Sequence, residues 1–212
     1  MPQQILIVGG TSGIGRELAA TYAERGASVV IAGRQAERAR KVAAEMNAVS
    51  KDGGAVRGIA VDLSEPEGVV DALHDIEQVD SVVLTGMQRD RNTLAEYNPA
   101  GAKELAVVKV VGYTMVLHAL RTRFSPSGSA LLFGGIAKHA PYPGSTTVTA
   151  VNAAIVGMVT TLSRELAPIR VNAIHPGVVS DSPYWIGNES AIEAVRASHE
   201  SDEPGASPVY SA

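Results

Sequence analysis

Three glycines, Gly9, Gly13 and Gly15, stand at G-x-x-x-G-x-G spacing directly behind the apolar run Ile5-Leu6-Ile7-Val8. That spacing suits one piece of chemistry, the holding of a pyrophosphate. Glycine leaves no Cβ between backbone and ligand. The amides that open the next helix then face the negative charge, with the helix dipole behind them. Thr11, Ser12 and Ile14 complete the turn. A four-residue run of β-branched and leucine side chains reads as a buried strand, and Ile14, Leu18, Ala19 and Tyr22 recur with helical period. Strand, glycine turn and helix in this order make a nucleotide cradle. Lys109 and Tyr113 form a second pair of interest, four residues apart and therefore on one helix face.

The elements that must position these residues alternate along the chain. Gly26 stops the first helix, over 13–25. A strand over 28–32 and a polar-faced helix over 35–49 follow. Lys51-Asp52-Gly53-Gly54 turns the chain into a strand over 56–61, and Pro66 opens a helix over 66–77. A fourth strand covers 80–84, and a long helix runs from Pro99 to Leu120 with Gly112 in its middle. Ser125-Pro126-Ser127-Gly128 reads as a turn into a strand over 129–133. A looser stretch over 134–145 precedes a second long helix ending at Leu166, and Pro168 leads into a sixth strand over 169–173. Strands separated by helices of this size imply an α/β fold, a doubly wound parallel sheet with helices on both faces. After Pro183 the pattern fails. One domain is expected over 1–185, then a short helix and an irregular tail over 186–212.

Lys and Arg number 18 against 22 Asp and Glu, a net charge of −4. Without a basic stripe, no nucleic-acid partner is expected. No apolar stretch approaches the ~20 residues of a membrane helix, so no membrane partner is expected. The first strand follows Met1 too closely for a signal peptide, and a cytoplasmic location is the expectation. Cysteine is absent, which removes disulfide and thiolate chemistry, and no metal site is expected.

Several motifs, in order and over residues 4 to 180, resemble the short-chain dehydrogenase/reductase family. Val8-Gly9-Gly10-Thr11-Ser12-Gly13-Ile14-Gly15 resembles its phosphate turn, and Asp62-Leu63, ending the third strand, its adenine contact. Ile169-Arg170-Val171-Asn172-Ala173-Ile174-His175-Pro176-Gly177 is similar to its I-R-V-N-x-I-x-P-G signature. The resemblance implies a Rossmann-type fold, a nicotinamide dinucleotide, and hydride exchange with a small carbonyl or alcohol substrate. It also implies cofactor contacts from Thr85 and Gly86, from Asn152, and from Pro176, Gly177 and Val178. The cofactor is selected at the end of the second strand, where a carboxylate would bind a free ribose 2′-hydroxyl. Here the strand ends Ala32-Gly33-Arg34. Arg34 offers a planar cation for a 2′-phosphate, and Ser12 adds only a hydroxyl, so NADP(H) is expected over NAD(H). The long helices 99–120 and 145–166 are where family members pair, so a homo-oligomer (dimer or tetramer) is expected.

The family's chemistry rests on a tyrosine acid/base, a lysine four residues on, a serine and an asparagine. Aligned on the motifs, the tyrosine position is Val148, the lysine position Asn152, the serine position Gly135 and the asparagine position Lys109. Leu84-Thr85-Gly86-Met87 stands for the family's N-N-A-G. All four catalytic positions differ. Two readings follow. In one, a reductase works with a rebuilt site, with Lys109 keeping a cation near the ribose and Tyr113, Tyr142 or His139 offering a proton. In the other, the chain binds a dinucleotide without redox chemistry, as a sensor, scaffold or regulatory partner. The second draws on the tail. Asp181 stands where a threonine often contacts the cofactor, and nothing in 182–212 resembles the family's last edge strand, which is expected to be missing.

Overall fold

A computed structural model describes residues 2–49, 54–88 and 90–179, with Glu193 and the backbone of Val209–Tyr210. The apolar run that precedes the glycine turn is β1 (Gln4–Val8), the middle of a six-stranded sheet. Around it stand β2 (Ser28–Gly33), β3 (Val56–Ala60), β4 (Val79–Leu84), β5 (Phe124–Phe133) and β6 (Arg170–Ile174). Their order is β3-β2-β1-β4-β5-β6, with every neighbouring pair parallel. Val8 pairs with Ala32 on one side and Leu84 on the other, so the chain reverses its winding direction at β1. Such a switch point opens a crevice outside the carboxyl ends of the strands.

Alternation along β1 sends its side chains to two cores. Leu6 and Val8 join Val82, Leu84 and Leu132 on one face, covered by Val116, Leu117 and Leu120 of α5 (Tyr113–Leu120) and by Ile155 of α6 (Thr146–Glu165). Ile5 and Ile7 join Val29, Ile31 and Val83 on the other. There they meet Ala19 and Ala23 of α1 (Gly13–Glu24) and Val42, Ala43 and Met46 of α2 (Ala36–Val49). Full burial of each such aliphatic side chain contributes roughly 1.5–3 kcal/mol. Both faces are covered, as the alternation of elements requires.

Several elements differ from expectation. The helix expected over 66–77 is a 3-10 turn, Pro66–Gly68, followed by the single turn α3, Val69–Ala72. Arg123 donates to the carbonyls of Leu73 and Ile76 at 2.6 and 2.8 Å and satisfies them where the helix stops. The turn expected at Ser125–Gly128 lies inside β5. Val79 pairs with Phe124 but Ser81 with Ser129, a bulge that absorbs the extra residues. The long helix over 99–120 is three segments: α4 (Pro99–Ala106), a π-helical stretch (Val107–Gly112) and α5. α6 has 20 residues and a mean hydropathy of 1.3, enough by length and composition to cross a membrane, contrary to the sequence reading. Its Val148, Val151 and Ile155 nevertheless pack into the protein core.

The helix and tail expected beyond Pro183, and Asp181, lie outside the described residues, apart from Glu193 and one pairing. Val209–Tyr210 (β8) runs parallel to Val178–Val179 (β7), a strand where the tail's sequence showed none. Among the described residues β6 ends the main sheet.

Candidate cofactor cleft and active site

A cleft of about 850 Å³ lies along the carboxyl edge of the sheet. Each strand feeds it: 8, 9 and 11–15 from β1 onward, 33–35 from β2, 61–64 behind β3, 85–88 behind β4, 133–137 from β5 and 176–179 behind β6. All the residues expected at a cofactor line this one cleft: the turn residues Gly9 and Thr11 to Gly15, then Arg34, Asp62, Leu63, Thr85, Gly86, Asn152 and Pro176 to Val178.

The glycine turn is packed to the limit of its backbone. Gly9 and Gly13 have φ of +95° and +52°, which favours glycine. A Cβ on Gly15 would stand 2.4 Å from the Gly9 carbonyl oxygen and 2.6 Å from Thr85 Oγ1. The Thr85 and Gly86 amides both donate to the Val8 carbonyl, at 2.9 and 3.1 Å, tying the β4 end to the turn. Ser12 precedes α1 without making a capping hydrogen bond. This is a cradle in which only backbone fits, and it suits a pyrophosphate at a helix start. Further along, Asp62 Oδ1 accepts from the Ser64 amide and hydroxyl at 2.9 and 2.6 Å, which fixes its carboxylate at the rim.

Arg34 and Arg38 stand together at the edge behind β2. Arg38, which the sequence analysis does not name, lies in the first turn of α2 and lines the same cleft as Arg34, just ahead of that helix. Among the described residues neither arginine forms an ion pair.

The four positions that the resemblance assigns to catalysis, Lys109, Gly135, Val148 and Asn152, also share the cleft. Lys109 is 1% exposed and lies in the π-helical stretch. Its Nζ donates to the Phe133 carbonyl and, at 3.3 Å, to the Tyr113 hydroxyl. Gly112 lets this helix close on the segment that follows β3, since a Cβ there would meet the Leu63 carbonyl at 2.7 Å. Tyr113 is not at the cleft. It is fully buried, its hydroxyl donates to the Gly86 carbonyl at 2.8 Å, and burial pushes its pKa far above the usual phenol range. It ties the β4 end to the helix. Tyr142 does line the cleft, at its mouth and half exposed, on a turn where Ser145 Oγ both accepts from the Tyr142 amide and donates to its carbonyl. His139 is exposed beside Lys138 Nζ and is not part of the lining. His175, over Gly134, has its pKa lowered by desolvation and then by the nearby charge of Lys138.

Sheet order, glycine turn and edge cleft together define a Rossmann-type dinucleotide-binding domain. Residues 3–190 match the family described as short chain dehydrogenase. The chain belongs to that family, whose members bind nicotinamide dinucleotides, and at family level it is an oxidoreductase. It is similar to a short-chain dehydrogenase/reductase of an Acremonium species, 29% identical over 189 residues, covering 82% of this chain and 72% of the relative. It is also similar to the 3-oxoacyl-[acyl-carrier-protein] reductase FabG of Aquifex aeolicus, 28% identical, with 82% and 73% covered. Among solved structures, a short chain dehydrogenase/reductase family protein superposes with a TM-score of 0.80 at 27% identity, over 92% of this chain and 82% of the other.

Proposed function

We propose that this chain binds NADP(H) in preference to NAD(H) and reduces a small carbonyl compound, or oxidises the matching alcohol, slowly and with a rebuilt proton-handling site. The observation that carries the cofactor reading is the rim behind β2, where Arg34 and Arg38 stand and no carboxylate does. An acidic residue there would repel a 2′-phosphate, whereas guanidinium groups pair with one. The dinucleotide, when bound, supplies the hydride carrier. The chain's own residues do the rest: the Gly9–Gly15 backbone holds the pyrophosphate, Asp62 and Leu63 border the adenine, and Lys109, fixed at the Phe133 carbonyl, lends a cation to the floor of the cleft.

In this reading the family's tyrosine, lysine, serine and asparagine are replaced by Val148, Asn152, Gly135 and Lys109. Valine transfers no proton and glycine carries no hydroxyl. General acid–base groups contribute about 10²–10⁴-fold in rate, so slow turnover rather than none is expected from a site that still orients its reactants. Tyr142 is the hydroxyl at the cleft mouth that such a site has to hand. The exposed side chains of Val111 and Val156, on the long helices, favour a homo-oligomer. A non-redox sensor or regulatory role is the second reading, favoured by the burial of Tyr113 away from the cleft. Titration with NADPH and NADH, followed by turnover on a carbonyl panel, separates the two. NADPH binding without turnover on any carbonyl selects the second reading, and binding of neither dinucleotide sinks both.

A further inference from the structure

The step Gly134–Gly135 ends β5 at the floor of the cleft. A Cβ on Gly135 would stand 2.7 Å from Asn152 Nδ2, a distance at which one of them must move. The Asn152 amide therefore occupies the space that a side chain at 135 would enter. It lines the cleft and is 2% exposed. Its Oδ1 is buried with no hydrogen-bond partner among the described residues. Val148, one helical turn earlier on α6, lines the same cleft, and its side chain forms no hydrogen bonds. A buried amide is unfavourable unless something pairs with it. Oδ1 accepts only and would pair with a ligand hydroxyl such as that of the alcohol, whereas Nδ2, beside the Cβ position of residue 135, is the donor that a carbonyl oxygen would meet.

We propose that Asn152 binds the carbonyl oxygen of the substrate, its amide standing where a hydroxyl on residue 135 would otherwise do so. The inference rests on the reductase reading above. An amide offers both a donor and an acceptor, and a half-turn about its last torsion exchanges them. A carbonyl oxygen takes the donor. Unlike a phenol, the amide keeps its proton, so it holds and polarises the oxygen without protonating it. Asparagine is also too short to reach as far as a lysine at the same position, which directs it to residue 135 rather than deeper along the cleft. Glycine at 135 and asparagine at 152 are thus one arrangement, since each accommodates the other.

The test uses the full chain loaded with NADP(H) and two carbonyl probes, cyclohexanone and acetoacetyl N-acetylcysteamine. Asn152→Ala is expected to weaken probe binding roughly tenfold or more while NADPH affinity stays within about twofold. Gly135→Ser in the Asn152→Ala background then has room for its hydroxyl and restores part of the loss, whereas Gly135→Ser alone does not, because Asn152 obstructs it. Thermal melting of each variant shows that it is folded. Asn152→Ala weakening NADPH as much as the probes would overturn the proposal, because the amide would then serve the cofactor. So would unchanged probe binding in Asn152→Ala, or no probe binding to the wild-type complex, in either case with NADPH still bound. Failure of the wild-type chain to bind NADPH at all refutes the underlying reading instead.

Discussion

Replacing Arg34 and Arg38 together by alanine removes both cations from the rim behind β2 and leaves the glycine turn untouched. Hydrogen bonds to charged groups contribute about 1.5–3 kcal/mol when shielded. Both guanidinium groups here are exposed, so water and salt screen them, and roughly 0.5–1 kcal/mol each is the appropriate scale. The pair then contributes about 1–2 kcal/mol, which is roughly a 5- to 30-fold rise in the NADPH dissociation constant. NADH lacks the 2′-phosphate and should bind both proteins alike. Calorimetry or the fluorescence of the reduced nicotinamide reads both constants. Because the contribution is screened, the wild-type preference should also narrow as salt is raised, and the variant should show little of that dependence. Equal affinities in the wild type, or an equal loss for both dinucleotides in the variant, would refute the assignment of the rim to a phosphate.

Three further outcomes follow from the geometry. Gly15→Ala drives a Cβ against the Gly9 carbonyl and Thr85 Oγ1, and overpacking of this kind costs about 1–3 kcal/mol. A lowered melting temperature together with weakened binding of both dinucleotides is expected, and full binding by a stable variant would count against the cradle. Tyr113→Phe leaves the Gly86 carbonyl and Lys109 Nζ short of a partner, a loss of about 1–3 kcal/mol in stability measured by denaturant unfolding. A drop in turnover with unchanged stability would instead return Tyr113 to a role in proton transfer. His175 titrates lower in the folded chain than unfolded, so the native state binds fewer protons there. That contribution to stability is intact above the unfolded pKa of about 6.5 and is lost as pH falls through the lower folded value. Thermal melts should show the wild type losing stability faster than His175→Gln as the pH is lowered through that window, and parallel curves would show that His175 is not responsible.

Much of the fold was legible because its signals are local. Alternating strand and helix runs, stops at Gly26 and Pro168, and the glycine turn each follow from a few adjacent residues. What escaped depends on contacts distant in sequence. Arg123 captures the Leu73 and Ile76 carbonyls where α3 ends, and no pattern within 66–77 records that. The bulge that puts Ser125–Gly128 inside β5 arises from pairing with β4, while its Pro and Gly read locally as a turn. In the site, the spacing of Lys109 and Tyr113 showed that they share a helix face. Spacing alone did not show which way that face points, and the tyrosine hydroxyl turns to Gly86 and away from the cleft.

The two halves of the cleft are built from different materials. The cofactor half is made of backbone and of missing side chains. Gly15 sits against Gly9 and Gly86 against Leu63, and both line the cleft, so a substitution at either presses on its neighbour at the binding surface. The other half is made of side chains that project from a settled scaffold. Val148 is buried on α6 and packs with Leu105, Ala137 and Val151. Gly135 and Asn152 accommodate each other. Measurements that separate dinucleotide affinity from carbonyl binding address each half independently.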